Sequence, residues 1–434
     1  MDGHWVELLD QNNYDFDEIA QKIELVFQKR NLDVKNKIIM LKVSFVFAVK
    51  DQERTKMINT NVHLIAAVAF VLCKYGAKKA YIADGETIGS ARYAYAMVGI
   101  KKAIENLPKE YRKRIIFAYL DEYKKEWCRP ENPVIEDIRL DYPLIAKNVD
   151  ILISMPKLKV NVFANITLSV KNGMGFLTTK TRLKYHNQQL HGLIADIYQI
   201  RPPDYVITDA VFAGEGQGPM AADAYPTNLI VFGNNGLAVD STCCYLMGFD
   251  PYQIDHLRFL HERGFGPLSL ENVEIYPKEL LERRKHIFRR PEVKMNSLAP
   301  NIHYYAGDVC DSGCPAMIRA MMDSYGQKYN WDWSKVGEMN IIIGKNPPIT
   351  KEQAKKLPKR KTVVYGNCAK EYRKYGNYYK GCPPNHLMAM ASYGFKADWG
   401  SIPWLKYVSF WTFFITTIQH FFSILFGKKK ELKI

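Results

Sequence analysis

The chain has 434 residues, 47% of them hydrophobic and 24% charged, with 27 glycines and 21 prolines. That length supports two or three domains, and the composition excludes a collagen, a disulfide-held miniprotein and a disordered tail. Sixty basic residues against 45 acidic ones leave a net charge of +15, which fits phosphate-bearing ligands, acidic lipid headgroups or nucleic acid without choosing among them.

The start, Met1-Asp2-Gly3-His4-Trp5, has no basic stretch followed by an apolar run, so no secretory signal is expected and the body is expected in the cytoplasm. A reducing compartment keeps the eight cysteines as thiols. Cys73, Cys128, Cys243 and Cys244 are read as packing residues.

Residues 1–35 read as a peripheral helical arm, and residues 36–280 as an α/β core. Asn61 is a cap for an apolar helix through Leu72 that stops at Gly76, and Lys79–Asp84 follows as a buried strand. Short apolar runs recur at Ile115–Leu120, Asp150–Ser154, Tyr205–Thr208 and Leu229–Phe232, with helical stretches at Leu193–Ile200 and Leu237–Met247. A mostly parallel mixed sheet is the economical arrangement. After Pro277 a charged stretch leads to a domain boundary at 280–300. A smaller α/β module spans 300–395, with strands at Met339–Ile343 and Thr362–Tyr365 and a helix at Thr350–Lys356.

The densest chemistry lies between residues 150 and 250. Pro156 stops the strand that ends at Ser154 and leaves Lys157 and Lys159 in a loop at its end, where ligands of α/β sheets bind. In Lys171-Asn172-Gly173-Met174-Gly175 the glycines permit positive φ, so that backbone N–H groups can converge on an anion beside Lys171. Lys184-Tyr185-His186 follows, then Asp209 at a strand end, a flexible loop with Glu215, Gly216 and Gly218, and Asp240 at a helix start. Taken singly, these are surface lysines, turn glycines and a helix-capping aspartate. Together they point to one basic pocket for an anionic small molecule. Lys157, Lys159, Lys171, Asn172, Gly173, Gly175, Gly216, Gly218 and Asp240 would bind it, and His186, Asp209 or Glu215 would transfer protons.

Several of these segments, in the same order, resemble the family known as domain of unknown function 362. They are Ile153-Ser154-Met155-Pro156-Lys157-Leu158-Lys159, Leu168-Ser169-Val170-Lys171-Asn172-Gly173-Met174-Gly175, Tyr185-His186, Thr208-Asp209, Glu215-Gly216-Gln217-Gly218-Pro219 and Ala238-Val239-Asp240. The resemblance extends over roughly residues 40–276 and implies iron–sulfur-associated redox chemistry without naming a substrate. Two departures stand out. Leu41-Lys42-Val43-Ser44 replaces the family's Lys-Pro-Asn after the first strand, and the repeated Cys-x-x-Cys runs of a ferredoxin are missing.

In their place stand Cys310 and Cys314, with three residues between them, and Cys368 and Cys382, with thirteen. Thiolates converging from two distant loops suit a [4Fe–4S] cluster, each iron taking one cysteine. Zinc is the alternative cofactor, although tetrahedral Cys₄ sites usually have short spacing within both pairs. His386, four residues after Cys382, is read as packing near the site, with substitution for one of the ligands as the alternative.

Between Lys406 and the run Lys428-Lys429-Lys430, residues 407–426 carry no formal charge, long enough for a membrane-seeking helix over 402–427. Trp404, Tyr407 and Trp411 crowd one end, and Ser409, Thr412, Thr416, Gln419 or His420, and Ser423 form a mild polar stripe. Both a spanning helix and one lying in the interface fit this pattern. The expectation is therefore an iron–sulfur redox protein, a candidate oxidoreductase, that binds an anionic ligand near a membrane lipid surface or a membrane redox partner. The alternative is a non-catalytic anion-binding protein with a structural metal. Nucleic acid is not an expected partner, because the lysines lack the interleaved aromatics of a single-strand platform.

Overall fold

The structure is a computed structural model, and it describes residues 3–46, 53, 55–85, 90–293, 300–310, 312–323, 337–384 and 410–425. Within them the expected α/β class holds: a large, mostly parallel sheet with helices on both faces, a second parallel sheet, and a carboxy-terminal helix.

The strands in chain order begin with β1 (Trp5–Asp10), β2 (Ile38–Lys42), β3 (Lys79–Asp84) and β4 (Ile115–Tyr119), and a separate antiparallel pair is made by β5 (Lys125–Cys128) and β6 (Leu140–Pro143). β7 (Ile151–Ser154), β8 (Lys157–Asn161), β9 (Asn165–Thr167), β10 (Tyr205–Gln217), β11 (Ala221–Tyr225), β12 (Leu229–Gly233) and β13 (Glu274–Tyr276) complete the core. The main sheet runs β13-β1-β12-β10-β7-β2-β3-β4, and β12 is antiparallel to both its neighbours. β8 and β11 branch from β10, and β9 pairs with β8.

Every residue of β2 is buried, as expected of a strand covered on both faces. Ile39 and Leu41 pack with the helices Phe16–Lys29 and Val62–Lys74, whereas Ile38 and Met40 share a core with Leu193 and Ile197 of the helix Leu190–Ile200. Asn61 caps Val62–Lys74 as expected, its side chain accepting from His63 N–H at 2.8 Å.

The amino-terminal segment departs from its expected role as a peripheral arm. β1 lies inside the sheet between β12 and β13, and the following helix Phe16–Lys29 buries Ile19, Ile23, Val26 and Phe27 in the core. Trp-Val-Glu-Leu-Leu-Asp hides its strand character because Glu7 is inward and ion-paired to Lys29 and Arg30.

In the second module, β14 (Ile302–Ala306), β15 (Met339–Ile343), β16 (Thr362–Tyr365) and β17 (Asn377–Tyr379) form an all-parallel sheet in sequence order. Thr350 closes a capping box on the helix Lys351–Lys356 between β15 and β16.

Since β1 fills the position between two strands, deleting residues 1–12 should expose the edge of β12. We expect insoluble protein or a clearly lower melting temperature, measured by differential scanning calorimetry; a soluble deletion with unchanged melting would restore the peripheral arm.

Candidate functional site at two carboxyl edges

The chain runs outward from β2 to β3 and β4, then returns to place β7 on the other side of β2. That reversal is a topological switch point, and the crevice outside the carboxyl ends of such strands is where open α/β sheets bind ligands. Here the crevice is spanned by side chains. Asn172 Nδ2 donates to the Lys42 carbonyl at the end of β2 (2.8 Å) and to Ser154 Oγ at the end of β7 (3.0 Å). Lys42 Nζ lies 2.8 Å from Asp84 Oδ1 at the end of β3 and donates to the Val43 carbonyl at 2.7 Å. Asp84 also accepts from Phe45 N–H and Gly85 N–H at 2.8 and 2.9 Å. Burial lowers the Lys42 ammonium, and Asp84 opposes that shift.

The glycines of this region serve packing rather than an anion cradle. Gly173 has φ −58°, and a Cβ there would stand 2.8 Å from Ile197 Cγ2. At Gly175 a Cβ would stand 2.3 Å from Asp84 Oδ1, and at Gly85 2.1 Å from the Gly175 carbonyl. Backbone thus lies directly on the Lys42–Asp84 pair. A cavity of about 20 Å³ remains beside it, lined by Lys42, Ser154, Ser169, Tyr198 and Arg201 among others, space for about one water.

Lys157 and Lys159 do not sit in a loop. The strand resumes immediately after Pro156, and both lysines point inward from β8, fully buried. Lys157 Nζ is 2.9 Å from Asp209 Oδ1 and donates to the Tyr14 hydroxyl at 2.9 Å, while Tyr14 donates to Asp209 at 2.9 Å. Asp209 also accepts from Asn61 N–H at 2.8 Å, which ties β10 to the start of the helix Val62–Lys74. Burial and Asp209 push the Tyr14 hydroxyl well up. Lys159 donates to the Ile58 carbonyl, and burial together with Lys171 and Lys157 drives its ammonium well down. Lys171 keeps part of its side chain exposed. Burial and the nearby Arg182 bring it down to about 8.

Glu215, Gly216 and Gln217 belong to β10 rather than to a flexible loop, although Gly216 does take a positive φ of 73°. Glu215 accepts from Arg289 N–H at 3.0 Å and Arg289 Nε at 2.9 Å, so it fastens residue 289 to the core. At Gly218 a Cβ would stand 2.2 Å from the Val160 carbonyl. Asp240 is not the cap of its own helix. Asn235 caps Gly236–Met247, while Asp240 accepts from Ser169 N–H (2.8 Å) and Val170 N–H (2.9 Å) at the start of the turn Ser169–Asn172. Burial raises its carboxyl to about 7 against those two hydrogen bonds. His186 stands edge-on to Phe163, centroids 4.8 Å apart. Sequence reasoning missed Tyr14, Lys42 and Asp84. Lys42 and Asp84 end buried strands, a position that could have marked them.

The second parallel sheet also gathers its chemistry at its carboxyl edge. Cys310 follows β14, Cys368 follows β16 and Cys382 follows β17, while Cys314 opens the helix Cys314–Asp323. Asn367 links two of these loops, its N–H donating to the Gly381 carbonyl at 2.9 Å and its Oδ1 accepting from Gly381 N–H at 3.0 Å. Gly313 N–H turns back to the Cys310 carbonyl at 3.1 Å, and a Cβ on Gly366 would stand 3.5 Å from Cys314 Sγ.

Burial, with Cys310, Cys382 and Cys368 adding to it, pushes the Cys314 thiol up to about 12. Burial and Cys368 likewise raise Cys310, and burial, Cys368 and Cys310 raise Cys382. Among the described residues, however, no three His, Cys, Asp or Glu side chains are close enough to hold a single metal ion. His386 lies outside the described residues. Core loop residues reach this edge: Asn187 Nδ2 donates to the Cys382 carbonyl at 3.4 Å, and the Gln188 backbone hydrogen-bonds the Cys310 thiol.

Cys73, Cys243 and Cys244 are buried as expected of packing residues. Trp404, Tyr407, Ser409 and the Lys428–Lys430 run lie outside the described residues. The helix Phe410–Leu425 is described, and no helix among the described residues is long and apolar enough to cross a membrane.

Residues 39–245 match the family model for a domain of unknown function, DUF362. That region, a little under half of the chain, is what resembles the family. The chain is also 25% identical over 248 residues to a protein of Synechocystis sp. (strain ATCC 27184 / PCC 6803 / Kazusa) named as thylakoid-associated, covering 54% of this chain and 71% of the relative.

Two outcomes follow from these side chains. Lys157→Ala should strand Asp209 as a buried, unpaired charge and cost about 3–5 kcal/mol in denaturant unfolding, against little change for exposed Lys180→Ala; equal stability of the two variants would refute the buried pair. For Asp240 the folded carboxyl titrates near 7 and the unfolded one near about 4. The native state therefore holds the extra proton, and this contribution to stability falls as pH rises from about 4 through 7. Asp240→Asn should flatten that fall in melting temperature, and an unaltered pH profile would show that Asp240 does not contribute.

Proposed function

We propose that this protein, whose residues 39–245 match the model for domain of unknown function 362, is an iron–sulfur redox protein. Its four cysteines, Cys310, Cys314, Cys368 and Cys382, would hold a [4Fe–4S] cluster, and its core would present an anionic ligand to it beside a membrane. The observation that supports this is topological: the four thiols stand at the carboxyl edge of the second sheet, Cys310 after β14, Cys314 at the start of the next helix, Cys368 after β16 and Cys382 after β17. Crowded thiols that oppose one another's ionisation become a favourable ligand set once positive iron compensates them. The spacing supports a cluster over zinc, because a mononuclear site needs its ligands around one ion, whereas cysteines of a cluster bind different irons. When bound, the cluster would supply single-electron transfer.

The residues of the core then have separate roles. Lys157, Lys159 and Asp209 are committed to the interior, which leaves the anionic ligand to the half-buried Lys171 with its neighbour Arg182. Arg182 lies in the helix Thr179–Lys184, which leads into the loop that touches the thiol edge. Membrane association through the carboxy-terminal helix is supported by its apolar exposure and by the thylakoid-associated relative.

Anaerobic purification followed by iron and sulfide analysis and electron paramagnetic resonance tests this directly. We expect a coloured protein with a dithionite-reducible signal, lost in both Cys314→Ser and Cys382→Ser while the core keeps its circular dichroism. A colourless protein with stoichiometric zinc would leave the second reading, a non-catalytic anion-binding protein with a structural metal.

A further inference from the structure

The helix Phe410–Leu425 has its polarity turned the opposite way from an ordinary surface helix. Its more covered positions are the polar stripe: Thr416 is buried and Thr412, His420 and Ser423 are half-buried. Its outward side carries Trp411, Phe414, Ile415, Phe421, Phe422 and Ile424, each between 49% and 76% exposed. The polar side is fastened to the core. His420 Nδ1 lies 3.5 Å from Asp121 Oδ2 and 3.8 Å from Glu122 Oε1, and Phe413 meets Tyr93 edge-on at 5.6 Å between centroids.

Those partners are already organised. Asp121 Oδ2 accepts from Ala91 N–H at 3.1 Å, and Glu122 pairs with Arg92. They stand where β4 ends at Tyr119 and where the helix Ala91–Val98 begins, seven residues after Asp84 ends β3. The carboxy-terminal helix is thus docked beside the same carboxyl edge that holds Lys42, Asp84 and Asn172.

Resting on the membrane reading above, we infer that this helix is an in-plane lipid anchor, with its apolar side among acyl chains and its polar side clasped by Asp121, Glu122 and Tyr93, so that the carboxyl edge of the main sheet faces an anionic bilayer. The sixteen helical residues among those described rise about 24 Å, beside the roughly 30 Å of a hydrocarbon core. A spanning helix would also carry the docked His420 and its hydroxyl stripe away from their partners on the core. Charge selects the surface: Lys406 and Lys428-Lys429-Lys430 flank the apolar run, and the whole chain is +15, so anionic headgroups complement it.

The test uses the full chain and phospholipid vesicles with and without an anionic lipid. Cosedimentation is expected with the anionic vesicles, release by alkaline carbonate, and about tenfold or greater weakening in Phe414→Asp/Phe421→Asp. On vesicle binding, hydrogen exchange should slow in both Ala91–Val98 and Phe410–Leu425. Binding that resists carbonate, with Lys428–Lys430 shielded from an outside amine-reactive probe, would overturn the in-plane anchor while leaving membrane association standing. Exchange protection that omits Ala91–Val98 would overturn the orientation. A dimer in light scattering that the double aspartate variant makes monomeric, with no vesicle binding by either protein, would assign the face to a second copy and remove both the anchor and the membrane reading.

Discussion

An ion pair with almost no access to water, Lys42 with Asp84, governs what the main sheet can do at its switch point. A crevice between diverging strands is an opportunity for a ligand, but it is also a place where strand ends leave backbone groups without ladder partners. Asn172 satisfies the β2 and β7 ends together, and Asp84 gathers the N–H groups of Phe45 and Gly85. The pair is costly to desolvate, so its value depends on every remaining hydrogen bond being made. That requirement explains the glycines at 85 and 175. With a Cβ at either position the backbone could not close over the pair.

Such a floor leaves the surplus of positive charge to be accommodated elsewhere. Lys157 is neutralised by Asp209, and Lys159 rests on a carbonyl. Lys171, half-buried, is the position at which the proposed anionic ligand would gain attraction. The order along the chain is consistent with this division: the turn bearing Lys171 is itself capped by Asp240 from another helix, so the lysine sits on a segment fixed by the core.

Much of the architecture was legible because buried parallel strands are short apolar runs. Lys79–Asp84, Met339–Ile343 and Thr362–Tyr365 have the expected limits, and Asn61 and Gly76 mark the helix between them and β2 as expected. β1 was hidden by an inward Glu7 whose partners lie on the following helix. Lys157 and Lys159 misled for a related reason: lysine and a preceding proline ordinarily signal an exposed loop, and only tertiary partners such as Tyr14 and Ile58 make an inward strand possible. Glycine had the same ambiguity. Its use for close packing at 173 and 175 and its use for positive φ at 216 look alike in one dimension.

The two parallel sheets place their chemistry by one rule, at the ends where their strands stop, and the loop around Asn187 and Gln188 joins those ends. That contact has an electrostatic consequence. On the proposed reading, the cations on the core side of the loop, Arg182 and Lys171, would favour the more negative, reduced state of a cluster held by the four thiols, because net charge around a cluster shifts its potential. An anionic ligand seated on Lys171 would remove part of that bias. Ligand occupancy and the ease of reducing the cluster would then be coupled through charge alone, with no movement of either sheet required.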